Sequence, residues 1–171
     1  MNSEDRHGLW LEKYEGQTTD QLIALESRYR IDSLVLAFEE AVDQKFFRSG
    51  AGALSDEERV ICAVEALERE VNNGGYAQFF QNSSREYAPQ IVSALRRIGC
   101  QNAADITARS IAALGTSDLT PEAIQTVMRL ADADRQRKLD ECDQEYFSST
   151  ESIEQRLFAF IKDNRNKIDL R

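Results

Sequence analysis

The residues best placed to do chemistry crowd into one stretch, VNNGGYAQFFQNSS, from Val71 to Ser84. Paired glycines beside amide side chains could cradle a phosphate with backbone N–H groups. A phosphate loop, however, follows a strand and ends in Gly-Lys-Ser/Thr, whereas Tyr76 and Ala77 come next here. A second stretch, DADRQRKLDECD at 132–143, spaces its acids like a calcium loop. It puts Arg137 where that loop needs glycine and Asp143 where it needs a bidentate glutamate. The single histidine, His7, leaves no partner for a Ser-His-Asp or Cys-His nucleophile, a His-ligated zinc or a Glu-x-x-His di-iron centre. His7 itself reads as a solvated bystander. Cys62, Cys100 and Cys142 are odd in number and far apart, and each sits among apolar residues at helical spacing. They read as small core hydrophobes kept reduced. The expectation is a protein without cofactor or metal, and not an enzyme.

Charge points to binding instead. With 21 Lys and Arg against 30 Asp and Glu, the net charge is −9, which disfavours direct contact with nucleic acid. The window 139–155 holds Asp140, Glu141, Asp143, Glu145, Glu151 and Glu154 and no Lys or Arg. These six carboxylates are the candidate docking surface for a basic protein. A solvated helix face is the plainer reading, and Asp56, Glu57, Glu65 and Glu68 form an alternative acidic face. No apolar run reaches signal or membrane-spanning length, so a cytoplasmic protein is expected.

The elements that must carry these residues are helices. Proline is rare, strand-like alternation is absent, and apolar residues recur at 3.6-residue spacing. A mixed arm covers 1–17. One long helix is predicted from Thr18 through Phe46, capped by Thr19 or Asp20, with a linker to residue 53. A helical region packed with it as one unit covers 54–171. Ser55 and Glu58 form a capping box. Gly74 or Gly75 ends that helix with positive φ. Ser83 or Ser84 caps the next, with Pro89 in its first turn. Asn102 caps another helix, and Thr120-Pro121 opens one more. A short segment around LDECDQEYF precedes a last helix opened by Ser148 or Thr150. The fold class is all-α: a single-domain irregular bundle of seven to eight helices with no sheet.

Together with LSDEERVICAVEALE upstream and YAPQIVSALRRIG downstream, EVNNGGYAQFFQNSS resembles the signature of a bacterial DNA-mimic protein family. Its core is Asn-Gly-Gly-aromatic-x-Gln-aromatic-Phe-x-Asn-Ser/Thr, and LDECDQEYF loosely matches a later element of the family. The resemblance covers about residues 54–165. It implies an all-helical fold without catalytic residues or cofactor, and a partner such as a DNA-binding regulator whose basic face meets carboxylates standing in for phosphates.

Two readings of the signature remain. In the structural one, Gly74 and Gly75 make a tight corner that Tyr76, Phe79 and Phe80 plug into the core, while Gln78 and Asn82 bond free helix-end groups. In the other, Asn73, Tyr76, Gln78 and Asn82 line a pocket for a small ligand or peptide. The corresponding functions are an acidic, non-enzymatic protein that binds a basic partner, or a small ligand-binding or hydrolytic protein. A toxin-neutralising inhibitor is a further member of the first class. A monomer or a homodimer is expected.

Overall fold

A computed structural model describes residues 8–171, so His7 lies outside the described residues. Among those residues there are eight α-helices and no sheet: α1 (Thr19–Ile23), α2 (Ile31–Ser49), α3 (Asp56–Gln81), α4 (Ile91–Arg97), α5 (Gln101–Ala112), α6 (Pro121–Arg129), α7 (Ala133–Ser148) and α8 (Ile153–Asp163). No helix is long and apolar enough to cross a membrane. The chain forms an all-α bundle whose contacts gather into two units. One holds residues up to 65 and from 152 onward, the other 66–151.

In the first unit, the helix predicted from Thr18 to Phe46 is two helices. Leu9 donates to the Arg28 carbonyl at 2.8 Å and accepts from the Arg30 amide at 2.9 Å. The helix has already loosened into turns from Leu25 on, and the pairing takes the Arg30 amide before α2 starts at Ile31; local periodicity carries no trace of either. The cap of α1 is Thr18, whose hydroxyl accepts from Gln21 N, while the Gln21 side chain accepts from Thr18 N. α2 packs on α8, where Phe38 meets Phe158 edge-on at 6.5 Å. Leu34, Val42, Ile61, Leu157 and Ile161 are fully buried in this unit. The expected capping box opens α3: Ser55 N donates to Glu58 Oε2 at 2.9 Å, and Glu58 N to Ser55 Oγ at 3.1 Å. Glu58 also receives Lys45 Nζ at 2.9 Å and the Asp169 amide at 2.8 Å. That buried ion pair fastens the C-terminal segment, whose Ile168 and Leu170 are buried.

The second unit begins within α3. Its core collects Tyr76, Phe79 and Phe80 with Ile91, Leu95, Ile106, Ile124 and Leu139. Pro89 falls in a turn after a short 3-10 stretch (Ser83–Tyr87), and α4 starts only at Ile91. Thr120 caps α6 as its sequence indicates. α7 is longer than predicted because Asp132 caps it, accepting from Arg135 N at 3.0 Å. α8, in the first unit, starts after Ser152 rather than Ser148 or Thr150. All three cysteines are free and buried.

Candidate functional site

The signature is a bend in α3. Gly74 and Gly75 leave helical geometry, and Gly75 has φ +74° and ψ −175°. A left-handed φ strains any residue with a Cβ, so this position requires glycine. Gly74 has φ −167°, which any residue adopts; its constraint is space, since a Cβ there would meet the Gln78 side chain. At Gly75 a Cβ would lie 2.1 Å from Asp143 Oδ2. The bend leaves the Tyr76 amide without a helical acceptor, and Asp143 Oδ1 supplies one at 2.7 Å. Asp143 therefore reaches from α7 to cap the second arm of α3. Burial raises its pKa, the Tyr76 amide opposes that, and Asp140 adds to it.

Past the bend, the aromatics enter the core as expected. Tyr76 is fully buried, shares a 2.7 Å hydrogen bond with Thr107 Oγ1, and stands edge-on to Tyr146 at 5.7 Å. Tyr146 in turn donates to Glu68. Burial pushes both phenols well above their ordinary pKa.

The polar side chains of the signature behave differently from expectation. Gln78 and Asn82 do not bond helix ends. Both donate to Glu70 Oε2 at 2.8 Å, and Ser84 donates to Glu70 Oε1 at 2.9 Å. Burial works to raise the Glu70 pKa, but these three donors outweigh it and hold the carboxyl below the usual range. Glu70 is the residue that sequence reasoning missed. The available signal was the set of donors in an otherwise aromatic stretch, which needs an acceptor nearby. Asn73 is exposed. Among the described residues, no buried side-chain nitrogen or oxygen lacks a partner.

The six candidate docking carboxylates divide by role. Asp143 caps the bend. Glu151 caps α5, accepting from the Asn102 amide at 3.0 Å and the Ala103 amide at 2.8 Å, the task expected of Asn102. Asp140 is exposed and accepts from Gln136 Nε2 at 2.8 Å. Glu141 pairs with Arg137 at 2.6 Å, and Glu145 with Arg109, which lowers the Glu145 pKa. Glu154 is half-buried on α8, in the first unit. Asp140, Glu141 and Glu145 thus share the exposed surface of α7, joined there by Asp134, Arg137 and Lys138. A cavity of about 270 Å³ lies between α5 and α7, lined by Arg109, Ala112, Ala113, Lys138, Glu141 and Cys142. None of its lining residues belongs to the signature.

Residues 52–164 match the family described as DMP19-like protein. The chain belongs to that family. No curated protein and no solved structure gives a significant match. In this DMP19-like chain the bend, its Asp143 cap and the Glu70 cluster all fall inside the matched segment, whereas α1 and α2 precede it.

Proposed function

We propose that this protein is a non-enzymatic binding protein of DNA-mimic type, which presents carboxylates to the basic, DNA-contacting face of a regulatory protein. Membership of the DMP19-like family supports that class of function. The observation that carries the reading is the use made of the signature. Gln78, Asn82, Ser84 and the Tyr76 amide and hydroxyl are all held by groups of the same unit, so the corner is a scaffold. Function then falls to the exterior. The chain carries a net charge of −9, and α7 exposes Asp134, Asp140, Glu141 and Glu145. Asp134, Glu141 and Glu145 recur at i, i+7 and i+11 and so lie along one face of α7. Arg109, Arg137 and Lys138 temper that face. Recognition there depends on the pattern of charge as well as its sum.

The test is kinetic. After capture of the partner, association is measured for wild type and for the triple variant D140N/E141Q/E145Q across a range of salt. Exposed charges are screened over about 8–10 Å near physiological ionic strength, so wild-type association falls steeply as salt rises. The variant associates more slowly and dissociates at a similar rate, because surface charge acts mainly on encounter. A partner that binds equally at low and high salt would overturn the reading. So would one that fails to release DNA in competition.

A further inference from the structure

The exposed side of α2 is unlike that of a solvated helix. Leu36, Glu40, Asp43 and Phe47 recur at i, i+4, i+7 and i+11 and so share one stripe. Leu36 is 39% exposed and Phe47 83% exposed. Phe46, 41% exposed, stands edge-on to Phe47 at 5.7 Å and widens the apolar end of the stripe. The cations of the same helix are turned to other work: Lys45 is buried on Glu58, and the Arg48 guanidinium donates to the Leu170 carbonyl. Glu40 accepts only neutral donors among its described bonds, the Tyr14 amide at 2.9 Å and Gln44 Nε2 at 3.3 Å. An adjacent pair of exposed aromatics is a candidate interaction surface.

We propose that this stripe docks a basic amphipathic helical segment of a partner protein, with an apolar side chain seated on Phe46 and Phe47 and Lys or Arg meeting Glu40. Charge complementarity decides the occupant. A second copy of the chain would bring the same patch to itself through a two-fold axis. Whether the paired helices ran parallel or antiparallel, the acidic middle of the stripe would face its own acids, a repulsive arrangement. A helix bearing apolar residues at its contact positions and cations between them meets both features at once. α2 precedes the family-matched segment 52–164, so this surface would give the chain a partner preference of its own. It does not depend on the α7 face.

The experiment uses the full chain and labelled synthetic peptides of about five helical turns, close to the length of α2. One peptide is an amphipathic Leu/Lys helix, one a Lys/Gln helix of equal charge, and one a Leu/Glu helix. The Leu/Lys peptide is expected to bind at least roughly tenfold more tightly than either control. F46S and F47S should each weaken it by roughly tenfold, as loss of an aromatic anchor does. E40Q should weaken it several-fold and flatten its salt dependence. F147S, which removes another exposed aromatic on α7, should leave it unchanged. Equal binding of the Leu/Lys and Lys/Gln peptides would reduce the effect to bulk charge and overturn the proposal. Undiminished binding to F46S and F47S would do the same. A dimer seen by sedimentation and dissolved by F47S would assign the stripe to a second copy and equally overturn it.

Discussion

Asp143 Oδ1 accepts the Tyr76 amide at 2.7 Å, while its other oxygen rests where a Cβ on residue 75 would have to go. One carboxylate thus caps the bend and requires the glycine beneath it. The consequence is an asymmetry between two adjacent glycines. Gly75→Ala should destabilise by about 1–3 kcal/mol through left-handed strain, and also displace Asp143. Gly74→Ala meets only a flexible glutamine side chain and should cost less. Asp143→Ala relieves the contact but not the strain, so it should not restore the stability of Gly75→Ala. Urea unfolding of the three single variants and the Gly75/Asp143 double variant checks this. Equal stability of both glycine variants would refute the assignment.

Glu70 should make the protein acid-sensitive. Its folded pKa lies below the ordinary 4.5, so the stability it adds is fully present above that value and is lost as pH falls through the lowered one. Glu70→Gln leaves three donors with a poorer acceptor and should cost about 1–3 kcal/mol at neutral pH. It should also flatten the decline of stability on acidification. Asp143 has the opposite sign. Its pKa is raised, so ionising it opposes folding as pH rises, and Asp143→Asn should not flatten the acid limb. Stability measured from pH 3 to pH 7 for both variants separates the two carboxyls.

The Lys45–Glu58 pair should be worth most when only one partner is removed. The two side chains are 11% and 0% exposed, so Lys45→Met leaves a buried carboxylate without its counter-ion and should cost about 3–5 kcal/mol. The double variant Lys45→Met/Glu58→Gln should recover part of that loss. Because Lys45 and Glu58 also hold the backbone at Asp169, single loss should expose residues 168–171 to carboxypeptidase. Digestion at the wild-type rate would contradict the fastening role.

Thiol chemistry should be suppressed. Cys62, Cys100 and Cys142 are 5%, 0% and 3% exposed, and burial raises the pKa of Cys62 and Cys142. A thiol reagent without denaturant should therefore label none of them on the timescale on which it labels free cysteine. Prompt labelling of Cys100 would be the clearest contradiction.

What the sequence made legible was local. The Ser55–Glu58 box, the Thr120-Pro121 start and the positive φ at Gly75 each depend on a few adjacent residues, and each stands in the structure. What stayed hidden was non-local. Glu70 gathers donors from 8 to 14 residues away, and Leu9 pairs across Tyr29 with the Arg28 carbonyl and the Arg30 amide in the gap between α1 and α2. Asp143 and Glu151 looked like free surface charge because nothing nearby in sequence shows that backbone amides of α3 and α5 come to them. A run of acids records charge, but not which carboxylates are already committed to holding the fold.

The Asp143 cap also constrains the order of folding. Its two partners are separated by 67 residues. During synthesis at about 5–20 residues per second, a nascent chain that has released Tyr76 waits roughly 3–13 s for Asp143. Until then the Gly74–Gly75 joint lacks its Asp143 contact. The cap of the Gly74–Gly75 joint is thus supplied only once the second half of the unit has been made.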